Sequence, residues 1–336
     1  MGILEDIRAK AVKAQKTVCL PEAMDERTLH AAAGCAKAGF GKIVLIGNAD
    51  AVKAKAKECG ADISRAEIRD PASDPMYDKI VATLVELRQA KGMTVEKAKE
   101  ALKDEVMYAA MLVKLDEVDG YVSGAVHSTA DTLRPALQVI KAAKGVKTVS
   151  AFFMMVLPES SPYYKTQPVL FYADSGLVQN PSAPELADIA IGTAQSWRAL
   201  VGTEPVVAML SHSTKGSAKH ADVDKVVEAT KIAREQAPDL ELDGEFQADA
   251  ALIKEIGSKK APGSAIPGRA NVLVFPDLDA GNISYKLTER LVGATAIGPL
   301  ISGMAKPIND LSRGCKAEDI IDAVAVTACQ AAALAK

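Results

Sequence analysis

Short β-branched or apolar runs alternate with longer amphipathic stretches along almost this whole chain, and few folds satisfy that alternation. The runs lie at residues 17–20, 43–47, 121–123, 149–155, 169–172, 206–210, 240–242, 272–275 and 295–297. Helical periodicity marks 26–37, 75–89, 94–115, 183–200 and 223–236. A strand that is followed by a helix returns most readily beside itself, so the pattern predicts an α/β fold with largely parallel sheets and helices on both faces. With 336 residues the chain has room for one large or two ordinary domains. No internal repeat of 20–50 residues interrupts the pattern.

Composition narrows the function. Hydrophobic residues make up 49% of the chain, enough for a sizeable core, yet no apolar run approaches the roughly 18 residues of a membrane span. Residues 1–16 intersperse Lys and Glu and lack the apolar segment of a secretory signal, so the expectation is a cytoplasmic protein without a membrane partner. A formal charge of -3 and the absence of Lys/Arg runs argue against nucleic acid as a partner. The five cysteines, Cys19, Cys35, Cys59, Cys315 and Cys329, show no paired spacing and read as free thiols. No Gly-x-Gly-x-x-Gly or Walker A motif supports NAD binding or nucleotide hydrolysis. The run Asp277-Leu278-Asp279-Ala280-Gly281-Asn282 lacks calcium-loop spacing, because Thr288 falls where the closing Glu belongs, so no metal site is expected. The Gly281-Asn282 pair reads instead as a tight turn before a helix carrying Lys286 and Arg290.

Two segments carry chemistry. In Asn309-Asp310-Leu311-Ser312-Arg313-Gly314-Cys315, a hydroxyl and a guanidinium occupy a loop before the last helical pattern, and Asp319 falls in its first turn. A donor, a fixed cation and a base converging there suit a reaction in which a nucleophile loses a proton while charge grows on an oxygen. An acid in a first helical turn is equally what the helix dipole favours. In Ser123-Gly124-Ala125-Val126-His127-Ser128-Thr129, followed by Asp131, Thr132 and Arg134, hydroxyls and free backbone N–H groups at a helix start make an anion site, with Arg134 as a bidentate partner. Helix capping by Ser128, Thr129 or Asp131 explains the same residues. His127 has no spaced Asp or Cys partner and reads as a hydrogen-bonding histidine. Arg134, Arg290 and Arg313, with Lys286, are the cations available to an anionic substrate.

Five ordered blocks extend these segments: "LPEAMDERTL", "DGYVSGAVHSTADTLRPALQ", "VAMLSHSTKGSA", "DGEFQADAAL" and "NVLVFPDLDAGNISYKL", closing on "GPLISGM" and "KPINDLSRGC". Together they resemble the phosphate acetyltransferases, of the phosphate acetyl/butyryltransferase family, over nearly the whole chain. The resemblance implies two α/β domains of the isocitrate/isopropylmalate dehydrogenase type, residues 1–143 plus 302–336 and residues 144–301, with the site in a cleft between them. The basic segment 142–148 and the Gly-rich segment 298–303 are the expected crossovers.

It also implies a homodimer joined through the middle domain, and CoA, acetyl-CoA, phosphate and acetyl phosphate as substrates with no tightly bound cofactor. Asp319, Ser312 and Arg313 are then catalytic, Asp319 taking the CoA thiol proton. Ser128, Thr129, Thr132, Arg134 and Arg290 contact substrate. Some relatives carry a cysteine after the strand matching "AFFMMVLP"; here Glu159, Ser160 and Ser161 follow, so an acyl-cysteine at that position is not expected. Phosphate butyryltransferase, a metal- and NAD-dependent isopropylmalate-type dehydrogenase and a non-catalytic CoA or acyl-phosphate sensor are the alternative readings.

Overall fold

The computed structural model describes residues 2–163 and 165–334. Its elements follow in chain order as α1 Ile3–Ala14, β1 Thr17–Leu20, α2 Glu26–Ala38, β2 Lys42–Ile46, α3 Ala49–Cys59, β3 Glu67–Arg69, α4 Tyr77–Arg88, α5 Val95–Ala101, α6 Glu105–Lys114, β4 Gly120–Val122 and α7 Thr129–Val139. Next come β5 Ser150–Val156, β6 Val169–Ala173, α8 Ala183–Leu200, β7 Val206–Leu210, α9 Ala221–Gln236, β8 Glu241–Phe246, α10 Ala248–Leu252, α11 Lys254–Lys260, β9 Val272–Val274, α12 Leu278–Leu287 and β10 Thr295–Ser302. The chain closes with β11 Ile308–Asn309 and α13 Ala317–Leu334. Two compact units result, Met1–Lys144 with Met304–Lys336, and Gly145–Gly303.

In the first unit the strand order is β3-β2-β1-β4-β11, with every pair parallel. In the second it is β10-β5-β6-β9-β7-β8, antiparallel at β10/β5 and β5/β6 and parallel beyond. The α/β architecture with mostly parallel sheets is therefore as the alternation predicts.

The last helix of the first unit carries the core. Ile320, Val324, Val326 and Ala328 are fully buried on different sides of α13, as befits a helix that is apolar nearly all round. The Asn309 amide donates to Thr327 Oγ1 at 2.8 Å and to Gln330 Oε1 at 2.7 Å, which locks β11 onto α13. In the second unit the core gathers Phe153, Met155, Tyr172, Leu210, Phe246 and Leu273 around the sheet.

Four expectations about elements change. The stretch 94–115 is two helices, because the Asp104 side chain accepts from Met107 N–H and starts α6 afresh. Residues 298–303 are mostly the second half of β10, paired with β5 through a register shift between Ile297 and Leu300. Strand β8 runs on to Phe246 through Asp243 and Glu245, whose carboxylates meet Lys215 and Ser213. Gly281 lies inside α12, whose cap is Asp277; a Cβ there would fall 2.2 Å from the Asp174 carbonyl oxygen, so close packing rather than a turn requires glycine.

Candidate active site

Strand β1 ends at Leu20 and delivers Glu22 into the interior of the first unit, 5% exposed. Its carboxylate accepts from the backbone N–H groups of Gly124, Ala125, Val126 and His127 at 2.9–3.0 Å. The His127 ring joins it through Nδ1 at 2.8 Å, with Glu105 3.9 Å from Nε2. Burial opposes charge on His127, but the hydrogen bond to Glu22 and the nearby Glu105 outweigh it and raise its pKa. The expected free N–H groups of this loop are thus occupied by an internal anion, which corrects the reading of the loop as an open phosphate nest.

The start of α7 is fixed from within as well. Ser128 caps the helix, accepting from Asp131 N–H at 3.3 Å and donating to Asp131 Oδ2 at 2.7 Å. That bond, helped by Arg134 at 3.1 Å, holds the Asp131 carboxyl below its usual range. Arg134 remains 61% exposed in its side chain, so its guanidinium is open to an anion. Thr129 donates to Asp310 Oδ2 at 2.6 Å.

Asp310 follows β11 and is fully buried. Burial pushes its carboxyl up to about 6, against hydrogen bonds from Thr129, Leu311 N–H and Thr132, with Glu22 adding to the rise. Asp310 Oδ1 and Thr132 Oγ1 nonetheless lack a well-formed hydrogen bond among the described residues. Gly124 has φ +112°, and a Cβ on it would fall 2.3 Å from Asp310 Oδ1. Thr132, expected to contact substrate, is fully buried and is corrected to an internal neighbour of this acid.

The loop from 312 to 315 leads into α13. Ser312, Arg313 and Asp319 are all exposed. Asp319 Oδ2 accepts from Lys316 N–H at 2.8 Å, and Ser312 Oγ accepts from Gly314 N–H at 3.3 Å. What holds this loop is Arg27, near the start of α2. Its guanidinium pairs with Asp25 at 2.8 Å and donates to the carbonyls of Arg313 at 2.8 Å, Cys315 at 3.1 Å and Ala125 at 2.7 Å. One side chain therefore fastens the loop before α7 to the loop before α13. A cleft of about 620 Å³ opens beside Glu22, at the carboxyl ends of β1 and β2, walled by Pro21, Ala23, Gly47, Asp70, Lys103 and Glu105.

Arg290 belongs to the second unit, in a π-helical turn after α12, with its side chain 80% exposed. Lys286 lies over the Tyr285 ring at 4.3 Å. The polar loop after β7 is spent internally: Ser213 bonds to Glu245 at 2.8 Å and Lys215 to Asp243 at 2.6 Å. Among the described residues no cluster of three or more His, Cys, Asp or Glu side chains is arranged to hold a metal ion.

A family model described as Phosphate acetyl/butaryl transferase matches residues 2–328. The chain belongs to that family. A phosphate acetyltransferase from Thermoanaerobacterium thermosaccharolyticum is 51% identical over 98% of this chain and 100% of its own length. One from Acetivibrio thermocellus is 50% identical, covering 98% of each chain. Among solved structures, a phosphotransacetylase from Streptococcus pyogenes superposes with a TM-score of 0.91 at 42% identity, over 98% of both chains.

Three groups of this family member escaped the sequence reading: Glu22, Arg27 and Asp310. The first two lie inside the block "LPEAMDERTL", where a carboxylate two residues past an apolar strand was the available signal. Asp310 lies in the block "KPINDLSRGC", but nothing local marks it as buried.

Proposed function

We propose that this chain is a phosphate acetyltransferase, moving an acetyl group reversibly between CoA and inorganic phosphate. The observation that carries the reading is the Arg27 bridge, because it holds the Ser312–Arg313 loop beside the start of α7. A hydroxyl and guanidinium for the reacting carbonyl and a helix start bearing Thr129 and Arg134 then belong to one rigid assembly. Acyl transfer between a thiol and a phosphate needs such a pair of walls, since both substrates must meet one carbonyl carbon.

In the acetyl-CoA-forming direction, Asp319 takes the thiol proton and sulfur attacks the acetyl carbonyl. Ser312 and Arg313 stabilise the oxyanion and the departing phosphate. Arg134 is the further anion contact, and Arg290 is an exposed cation of the second unit. An ordinary thiol has a pKa of ~8.5 and an ordinary Asp ~3.9, so full proton transfer would cost roughly 6 kcal/mol. Transfer concerted with attack avoids a free thiolate, and Arg313 lowers the charge that sulfur has to carry. The cleft beside Glu22, walled by Pro21, Gly47, Asp70 and Glu105, offers room for part of CoA.

The enzyme works in the cytoplasm, a compartment that suits its free cysteines. No helix among the described residues is long and apolar enough to cross a membrane. It assembles as a homodimer through the second unit. There Ile283, Leu287 and Leu291 form an i, i+4, i+8 stripe, 52–79% exposed, that favours a covering partner. Light scattering should give twice the chain mass, and a charge at Leu287 should reduce it to the monomer.

The test of function is a panel of acyl-CoAs with phosphate. Acetyl-CoA should give the highest kcat/KM and yield acetyl phosphate. A preference for butyryl-CoA would assign the chain to the other named branch of its family, and no acyl phosphate from any member would end the proposal.

A further inference from the structure

Thr129 has one hydroxyl proton, and it is committed to Asp310 Oδ2 across 2.6 Å, the length of a charge-assisted O–H···O⁻ bond. Toward solvent, half-buried Thr129 therefore presents only oxygen lone pairs. Lone pairs repel an anionic phosphate oxygen and attract a protonated one. Behind the hydroxyl, Asp310 is fully buried and its second oxygen, Oδ1, has no well-formed hydrogen bond among the described residues.

We propose that Thr129 and Asp310 form a proton relay that accepts the P–OH proton of hydrogen phosphate as phosphate attacks the acyl carbon. The inference rests on the phosphate acetyltransferase reading and adds a second acid–base station to it. In phosphorolysis the phosphate O–H bond breaks and its proton moves to Thr129 Oγ1. The proton already on Oγ1 moves to Asp310 Oδ2. The O–H electron pair stays on phosphate, whose attacking oxygen bonds to the acyl carbon. The C–S bond breaks, and the thiolate leaves with its pair and is protonated through Asp319. Afterwards Asp310 returns a proton to water and Asp319 regains one. In the opposite direction every step reverses, so Asp310 supplies the proton that departing phosphate keeps.

Burial raises the Asp310 carboxyl to about 6, which makes it a far better match for phosphate than an ordinary Asp. Glu22 is the charged group that favours its neutral form, and Tyr121, held protonated by burial, is the other titratable neighbour. Hydrogen-bonding neighbours are Thr129, Thr132 and Leu311 N–H.

The decisive experiment measures acetyl phosphate formation from acetyl-CoA and phosphate between pH 5.5 and 9. It compares wild type, Thr129→Val, Thr129→Ser and Asp310→Asn. Wild type should lose kcat/KM for phosphate below about pH 6. Thr129→Val and Asp310→Asn should lose about 10²-fold or more in kcat with KM for CoA unchanged, and Thr129→Ser should recover most of it. Asp310→Asn should also lose the acidic limb while remaining folded. Thr129→Val retaining more than about a third of wild-type kcat, or Asp310→Asn retaining the limb, overturns the relay. If Asp310→Asn does not fold, the Val/Ser pair at Thr129 decides alone. An inactive wild type would instead sink the underlying activity, a result visible before any variant is compared.

Discussion

Two helix starts in the first unit carry nearly the same side chains and treat them in opposite ways. At the α7 start stand Ser128, Thr129, Asp131 and Arg134; at the α13 start stand Ser312, Arg313 and Asp319. The α7 start is filled from inside, with Glu22 in its loop and Asp310 behind Thr129. The α13 start faces solvent, and Arg27 fastens its loop through the carbonyls of Arg313 and Cys315. Prearranged charge costs stability when it is desolvated, so the first start carries that cost in its buried carboxylates. The second keeps its charged groups accessible to whatever enters. A mutation at α7 should therefore register in both stability and rate, and one at α13 chiefly in rate.

The largest effect expected from that contrast is at Asp319. Asp319→Asn keeps a side-chain acceptor for Lys316 N–H, so melting should barely change. Turnover should fall about 10²–10⁴-fold, equivalent to roughly 3–5 kcal/mol. A variant keeping more than about a tenth of wild-type kcat would remove Asp319 from the base role.

At Glu22 the contrast predicts the reverse order of readouts. Glu22→Ala strands four backbone N–H groups and the His127 ring, and should destabilise the chain by on the order of 3–5 kcal/mol. Urea titration of the variant checks this. A loss under about 1 kcal/mol would mean that the loop relaxes and water replaces the carboxylate.

Asp310 provides a pH test of the same idea. Its folded-state pKa is raised from 3.8 to about 6, so its ionisation opposes folding. The penalty is absent below the unfolded value, grows between about pH 4 and 6, and then stays constant at about 3 kcal/mol. Relative to Asp310→Asn, wild-type stability should therefore decline across that window. Parallel stability curves for the two proteins would show that Asp310 ionises without cost in the fold.

How much of this was readable beforehand differs between the two starts for a physical reason. The α/β alternation and the residues at α13 follow from periodicity, block order and local spacing. Strand β3 is a half-buried Glu-Ile-Arg, and β11 has only two residues, so neither makes an apolar run. Glu22 and Asp310 lie about 100 and 180 residues from the groups they hold, as the separations of 102 and 181 positions show. A buried carboxylate looks like any surface acid until its partners are known. The capping interpretation and the substrate interpretation of Ser128 and Thr129 also used the same residues. In the structure Ser128 caps α7, and Thr129 is turned toward Asp310.

A smaller effect separates the one exposed cation of the α7 start from its buried acids. Arg134→Ala removes a charged contact worth about 1.5–3 kcal/mol if it holds phosphate. KM for phosphate and acetyl phosphate should then rise more than KM for CoA. A rise for CoA alone would move Arg134 to the other substrate. A fall in melting temperature with unchanged kinetics would leave it only its ion pair with Asp131.

The smallest expected effect is at His127, whose imidazolium joins the buried Glu22 to Glu105. Its pKa is raised above the ordinary histidine value, so the stabilisation is fully present below about pH 6.5 and is lost as pH rises through the folded pKa. His127→Gln keeps a donor for Glu22 without the titratable charge. Solvent reaches part of the ring, so the difference should be on the order of 1 kcal/mol. Wild type should be the more stable protein at pH 5.5, and the two should converge toward pH 8.5. Because Glu22 already accepts four backbone N–H groups, loss of the imidazolium charge should leave the loop in place and the rate nearly unchanged. A pH-independent gap would show that the ring acts by packing alone. A rate that falls with the charge would show instead that the two helix starts share an electrostatic path through His127, and the separation between them would have to be redrawn.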